Sequence, residues 1–139
     1  MRKIYICVMF LFLGFSLNAQ TKNNEFKFKE HQIDKLIKEV YQDKAEAIIF
    51  SDAIRYKGFK NLLLNRVSIY KQQFKDGEEY QNLSEVALLK TYNSNLFKDF
   101  SFNQSNFNPL KYDISLFSNE VVIYRIDKQH ILFIKSQKN

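Results

Sequence analysis

The most regular pattern in this sequence of 139 residues is an apolar residue at every third or fourth position from Glu30 onward. This spacing places the apolar side chains on one face of a helix and the charged residues on the other. It predicts an amphipathic helix from about Glu30 to Lys44, which we expect to continue to about Phe50. Such a helix must bury its apolar face, so the fold requires a second layer. The apolar face consists of Ile33, Leu36, Ile37, Val40 and Tyr41.

The second layer is predicted from β-rich runs, most of them near the end of the chain. Lys111–Phe117, Glu120–Ile126 and His130–Lys135 are rich in β-branched and aromatic residues. The last two runs are expected to pair as a hairpin, and Leu62–Gln73 favours a further strand. Because both faces of the hairpin are apolar, we expect it to be covered on both sides, with the amphipathic helix on one of them.

Together these elements predict an α+β fold, in which an N-terminal amphipathic helix packs on a small, mainly antiparallel β-sheet with a C-terminal β-hairpin. We expect one domain, residues 30–139. Within it, Asp76–Glu79 is typical of a turn, and Ser84 can cap a short helix. Asn93–Pro109 is rich in Asn and Phe and has no regular period, which predicts a long ordered loop with aromatic anchors. Loops of this length are often functional.

The beginning of the sequence predicts export. Arg2 and Lys3 precede an apolar run, Ile4–Leu17, and the small residue Ala19 stands just before a polar stretch. These are the parts of a secretory signal peptide. As a helix, the run would be about 21 Å long, too short for the roughly 30 Å hydrocarbon core of a bilayer. A cleaved signal is therefore favoured over a permanent membrane span.

Cleavage between Ala19 and Gln20 would divide the chain into a signal peptide, residues 1–19, and a mature protein that begins with a polar tether, residues 20–29. The single cysteine, Cys7, lies in the apolar run and would be lost with it. The mature protein would then be disulfide-free and would depend on its hydrophobic core for stability. We expect it to be periplasmic or extracellular.

The formal net charge of +6 is concentrated in one part of the chain. Between Ala53 and Lys75 there are six basic residues and no acidic one, and aromatic residues lie among them. This mixture predicts an anion-binding surface, although an ordinary solvated face of a helix or strand would give the same pattern. For an exported protein, an anionic polysaccharide fits better than nucleic acid. The six residues are Arg55, Lys57, Lys60, Arg66, Lys71 and Lys75.

Several chemistries lack the residues that they need. Phosphate-binding loops need clustered glycines, and the chain has three in all. A catalytic zinc ion usually takes three protein ligands, whereas the two histidines, His31 and His130, belong to no paired motif. We therefore expect no cofactor and no metal, and the sequence identifies no catalytic residue. Two carboxylates that are distant in sequence could still meet in a cleft, which leaves acid–base hydrolysis open.

Three short segments resemble a family of small exported proteins of unknown function from Bacteroidota. They are Leu83–Val86, Phe107–Tyr112 and Tyr124–Asp127, and they lie in the C-terminal half of the chain. The resemblance implies export. It implies no activity and transfers no functional residue.

The sequence thus favours a non-catalytic binding or interaction module of the cell envelope, with an envelope protein or an anionic polysaccharide as its partner. One alternative is a small carboxylate-dependent hydrolase of envelope polymers, which requires a concave pocket with two acids in it. Another is a periplasmic inhibitor or immunity protein. If Phe100, Phe102 and Phe107 were all buried, the Asn- and Phe-rich loop could not serve as a binding surface.

Overall fold

The computed structural model describes residues 24–75 and 77–138. The predicted signal peptide, its cleavage between Ala19 and Gln20, and Cys7 lie outside these ranges. Apart from Asp76 and Asn139, the described residues cover the whole predicted domain. No helix in the described ranges is long and apolar enough to cross a membrane.

The first helix, α1 (Glu30–Tyr41), confirms the amphipathic helix predicted from the apolar spacing. Lys29 is its N-cap residue, and the backbone N–H of Lys29 donates to the side chain of Gln32 at 2.8 Å. This satisfies one of the N–H groups that a helix leaves without a partner at its N-terminus. The buried residues of α1 are Ile33, Leu36, Ile37 and Val40.

The helix ends earlier than predicted, because the chain breaks at Gln42. This residue has a φ of 52°, a value that residues other than glycine rarely adopt. A 3₁₀ turn, Gln42–Lys44, and a π-helical turn, Glu46–Phe50, follow the break. The predicted continuation to Phe50 is therefore helical, but it is not part of one straight helix. After the break, Ile49 lies in the core and is 1% exposed.

The second helix, α2 (Ala53–Asn61), was not predicted from the sequence. The side chain of Asp52 caps it by accepting the backbone N–H of Arg55 at 3.0 Å. Phe59 is the one residue of α2 that is buried. Because no apolar stripe runs along this helix, periodicity could not identify it.

A four-stranded antiparallel sheet confirms the predicted α+β class. Its strands are β1 (Glu25–Phe26), β2 (Val67–Lys71), β3 (Val122–Arg125) and β4 (His130–Ile134), and their order in the sheet is β1-β2-β4-β3. β3 and β4 form the predicted C-terminal hairpin. The long strand β4 therefore lies in the interior of the sheet, between β2 and β3.

Two predicted strands differ from the structure. The run Leu62–Gln73 begins with a π-helical turn, Leu62–Arg66, and only then continues as β2. Lys111–Phe117 is not a strand, because the chain forms a 3₁₀ turn at Pro109–Lys111 and then an irregular segment. Both runs are apolar and buried in part, and burial without a clear period does not separate strands from turns.

Two smaller predictions also differ. The predicted tether, residues 20–29, includes β1 and Phe28, which is 4% exposed, so its second half belongs to the domain. The helix expected at Ser84 is a single 3₁₀ turn, Leu83–Glu85. A polar composition therefore did not keep the N-terminal segment out of the fold, because Phe26 and Phe28 bring it into the core.

The two faces of the sheet are buried to different extents. Ile69, Leu132 and Tyr124 lie side by side across β2, β4 and β3 and join the core that the helices cover. On the opposite face, the rings of Tyr70 and Phe133 form a T-shaped pair with their centres 5.9 Å apart, and both side chains are half-buried. The expectation of cover on both sides therefore holds fully for only one face.

Each edge of the sheet has its own arrangement. At the β3 edge, the backbone N–H of Arg125 donates to the carbonyl of Gln81 at 2.9 Å, and Asn82 forms a parallel bridge with Arg125. At the opposite edge, β1 pairs with β2 through two residues. The segment that includes Gln81 thus covers part of the β3 edge.

Replacing Gln42 by glycine is expected to raise the free energy of unfolding by about 1 kcal/mol, because glycine adopts a positive φ without steric cost. The variant also loses a 3.2 Å hydrogen bond from the Gln42 side chain to the carbonyl of Glu39, which is a smaller effect. Urea unfolding measures the difference. Gln42→Ala is the matched control, since it loses the same hydrogen bond but keeps Cβ. A Gln42→Gly protein no more stable than this control would contradict backbone strain at Gln42.

Candidate functional site

Asparagine side chains fasten the long loop to α1. Asn108 is fully buried, and its amide donates to the carbonyl of Leu36 and to the carboxylate of Glu39, both at 2.9 Å. Its oxygen accepts the backbone N–H of Leu110 at 3.0 Å. Asn93 donates to the carbonyl of Glu39 at 2.7 Å. The Asn-rich composition of the loop therefore supplies anchors that replace the backbone pairing of a regular element.

A buried charge fixes the middle of the loop. The ammonium of Lys111, which is 2% exposed, lies 2.8 Å from the carboxylate of Asp99. The hydroxyl of Tyr112 donates to the same carboxylate at 2.9 Å and accepts the backbone N–H of Asp99 at 2.7 Å. Burial raises the pKa of Tyr112 above its usual range, so the hydroxyl keeps its proton and remains a donor. Asp99 is thus held by both its side chain and its backbone.

A second carboxylate, Asp127, holds the loop from the hairpin side. It accepts the backbone N–H of Phe102 at 2.7 Å and those of Gln129 and His130 at 2.8 Å. The Nδ1 of His130 also lies 2.8 Å from it. Burial alone would raise the pKa of Asp127, but these hydrogen bonds outweigh burial and hold the pKa below its usual value. The ionised carboxylate therefore ties the loop to the turn of the β3–β4 hairpin.

Two phenylalanines between these anchors remain exposed. We call Phe97–Phe102 the aromatic loop. In it, Phe97 is 75% exposed and Phe100 is 78% exposed, whereas Phe102 is half-buried. The ammonium of Lys111 lies 5.2 Å from the ring centre of Phe97 and orients that ring. The structure thus presents two aromatic rings to solvent on a backbone that hydrogen bonds hold at Asp99 and Phe102.

Two clefts border the aromatic loop, and a third lies beyond the hairpin turn. The loop cleft, about 620 Å³, lies between α1 and the aromatic loop and includes Glu39 and Asp99. The turn cleft, about 670 Å³, lies between the aromatic loop and the hairpin turn that contains Asp127. The basic cleft, about 860 Å³, lies beside the ends of β2 and β3 and includes Lys71 and Arg125.

These clefts adjoin one another. The loop cleft and the turn cleft share Phe100 and Ser101. The turn cleft and the basic cleft share Arg125, Lys128 and Gln129. We call these three neighbouring clefts together the groove, and Phe100 stands where two of them adjoin.

The six residues of the predicted anion-binding surface do not come together. Three lie on α2, one is buried, and two lie at or after the end of β2, and in this order they are Arg55, Lys57, Lys60, Arg66, Lys71 and Lys75. On α2, Lys60 forms an ion pair with Glu30. Of the six, Lys71 is the one that lines the groove.

Arg66 requires a correction. It is 7% exposed, and its guanidinium donates to the carbonyls of Lys135 at 2.9 Å and Leu116 at 3.0 Å. These contacts join the end of β4 to the segment that precedes the hairpin. Arg66 therefore stabilises the fold and does not belong to an anion-binding surface.

Two cations of the groove, Arg125 and Lys128, were not predicted from the sequence. Arg125 ends β3 and Lys128 lies in the turn of the predicted hairpin, and β4 pairs with β2 so that His130 lies opposite Lys71. The feature of the sequence that could have located these two cations was the predicted hairpin. Had its pairing with β2 been predicted, the turn would have been placed beside Lys71.

Neither histidine belongs to a metal site in the described ranges. His31 is exposed at the start of α1, and His130 is bound to Asp127 and lies against the ring of Phe102 at 4.9 Å. Among the residues that the structure describes, no group of three or more His, Cys, Asp or Glu side chains could hold an ion. His130 therefore contributes to the connection between the hairpin turn and the aromatic loop.

The loop cleft brings together two acids, as a carboxylate-dependent hydrolase would require. They are Glu39 and Asp99. Asp99 is bound by Lys111 and Tyr112 and so fixes the loop to the segment that follows Pro109, whereas Glu39 accepts from Asn108 and fixes the loop to α1. Their contacts are structural, and the groove offers a ligand mainly aromatic rings, amides, hydroxyls and cations.

No family model, curated protein or solved structure matches the chain. The resemblance to small exported Bacteroidota proteins therefore stays a prediction, as does export itself. The functional interpretation of the groove rests on its own geometry and chemistry.

Replacing Asp127 by asparagine is expected to lower the free energy of unfolding by about 2 kcal/mol at pH 7, because hydrogen bonds to a charged acceptor are lost. The pKa of Asp127 is lower in the folded than in the unfolded chain, so its carboxylate stabilises the fold above about pH 4. This contribution is lost as the pH falls through the folded pKa. The difference from the wild-type protein should therefore shrink between pH 7 and pH 3.

Urea unfolding at several pH values measures this difference. Asp113→Asn is the control, because Asp113 is exposed and its removal should change stability by less than about 0.5 kcal/mol. A difference between wild-type and Asp127→Asn that stays constant with pH would show that the charge of Asp127 does not stabilise the loop.

Proposed function

We propose that this protein is an exported, non-catalytic binding module of the cell envelope that holds a polysaccharide chain in the groove. The observation that carries the proposal is the exposure of Phe97 and Phe100 on an anchored backbone. Export is supported by the signal-peptide pattern of residues 1–19. The proposal assigns no catalytic residue.

The two exposed rings can supply binding energy with little loss of conformational entropy in the loop. A phenylalanine side chain that becomes covered contributes about 1.5 to 3 kcal/mol through the hydrophobic effect. Ordering a flexible loop would consume part of that energy, but hydrogen bonds already fix Asp99 and Phe102 on either side of Phe100. A ligand that covers Phe97 and Phe100 would therefore keep most of the gain.

The polar residues of the groove favour a sugar ligand. Ser101, Asn103 and Asn106 line the loop cleft, and Asn82 and Ser84 line the turn cleft. Amides and hydroxyls both donate and accept hydrogen bonds, which suits the hydroxyls of sugars. Aromatic rings suit the apolar C–H faces of sugar rings. A groove of adjoining clefts that alternates these groups fits a chain of sugars better than one small molecule.

The two phenylalanines provide the test. A Phe97→Ala/Phe100→Ala double variant is expected to bind polysaccharide at least about tenfold more weakly than the wild-type protein, because both rings are removed from the groove. Electrophoresis in native gels that each contain one polymer measures binding: dextran and mannan as neutral polymers, alginate and polygalacturonate as acidic ones. The wild-type protein should be retarded by at least one of the four.

Ile54→Ala is the matched control, since Ile54 is 86% exposed but does not line the groove. It should bind as the wild-type protein does, and all variants should have similar free energies of unfolding. Equal retardation of the double variant and the wild type would contradict the role of the rings. An envelope protein that binds through Phe97 and Phe100, while no polymer does, would show that the ligand class is wrong.

A further inference from the structure

The basic cleft differs from the rest of the groove in its charge. Lys71, Arg125 and Lys128 line it, and none of its lining residues is acidic. Among the residues that the structure describes, the ion pairs do not include any of these three cations. By contrast, the loop cleft combines lysines with Glu39 and Asp99. The formal charge of the lining residues is therefore most positive at this one end of the groove.

Three separate elements bring the cations together. Lys71 ends β2, Arg125 ends β3, and Lys128 lies in the turn between β3 and β4. The antiparallel pairing of β2 with β4 and of β4 with β3 places these ends at the same side of the sheet. The cluster is thus a product of the sheet topology and is not visible as a run in the sequence.

The guanidinium of Arg125 is held in a defined orientation. Its Nε donates to the carbonyl of Asp127 at 3.3 Å, and its central carbon lies 4.0 Å from the ring centre of Phe74. Stacking on Phe74 fixes the plane of the guanidinium, while its other N–H groups can donate to a ligand. A planar guanidinium with two such donors matches the geometry of a carboxylate or a sulfate.

The geometry points to a ligand with negative charges: we infer that the basic cleft is an anion subsite of the groove and that the bound polysaccharide carries carboxylate or sulfate groups. This inference rests on the proposed function and adds the chemical class of the ligand. The side chains of Gln72 and Gln129 lie in the same cleft and can bind the hydroxyls beside the charged group.

The shape of the cleft favours a polysaccharide over nucleic acid. Its volume, about 860 Å³, admits part of a single polymer chain. Duplex nucleic acid instead needs a basic surface that follows its phosphates over several base pairs. The six basic residues predicted from the sequence do not form such a surface, because Arg66 is buried and Lys60 is paired with Glu30.

Lys71→Gln/Lys128→Gln is the variant that tests the subsite. Both side chains are exposed, so their replacement should leave the free energy of unfolding unchanged within about 0.5 kcal/mol. The control, Lys44→Gln/Lys57→Gln, removes the same charge from exposed residues that do not line the groove. Comparison of the two double variants separates the subsite from net charge.

Binding is measured with alginate as a carboxylate polymer, dextran sulfate as a sulfate polymer, dextran as the neutral reference, and duplex DNA, each at increasing salt. We expect the wild-type protein to prefer at least one acidic polymer over dextran. The Lys71→Gln/Lys128→Gln variant should lose about tenfold or more of that affinity and show a weaker salt dependence, while the control pair stays within about twofold. The polymer that is affected identifies carboxylate or sulfate as the recognised group.

Several results would overturn the subsite. They are equal losses in the two lysine variants, no preference of the wild-type protein for an acidic polymer, or DNA binding as tight as that of alginate. If the wild type binds dextran through Phe97 and Phe100 without regard to charge, the subsite fails and the proposed function stands. If the lysines matter for alginate but the phenylalanines do not, the subsite stands, and the part of the proposed function that assigns binding to Phe97 and Phe100 fails.

Discussion

The ion pair between Lys111 and Asp99 is the contact on which the groove depends. An ammonium that is 2% exposed must have a charged or strongly polar partner, because an uncompensated buried charge costs several kcal/mol. Asp99 supplies that partner only if the loop folds back over Lys111. Once it does, Tyr112 binds the backbone of Asp99, and the Phe97 ring lies beside the ammonium. The position of the aromatic loop around Asp99 thus depends on neutralising a charge in the interior.

The parts of the fold that could be predicted are those with a regular local pattern. α1 follows from its apolar spacing, and the β3–β4 hairpin follows from two β-rich runs on either side of a polar turn. α2 has no apolar stripe, and its start depends on one capping side chain, Asp52. Arg66 looks like other surface cations in the sequence. Its burial is decided by backbone carbonyls from residues 116 and 135, far from it in the chain.

The site was less predictable than the fold, because it consists of contacts between distant segments. Phe97, Phe100, Phe102 and Phe107 are the same residue type in one loop, yet the first two are exposed and Phe107 is 1% exposed. Which of them face solvent is decided by where the anchors hold the backbone. The basic cleft likewise depends on the order of the strands, whereas the charge along the sequence pointed to six cations between Ala53 and Lys75, of which Lys71 is the one that lines the cleft.

The edges of the sheet have a consequence for assembly. Strands with free backbone groups can add an extended peptide or exchange with another copy of the chain, and such pairing leads to domain swapping and fibrils. Here β1 is only two residues long, and the carbonyl of Gln81 accepts the backbone N–H of Arg125 in β3. Self-association by strand addition is therefore disfavoured. Copies of the domain can therefore come close together at high concentration without their sheets pairing.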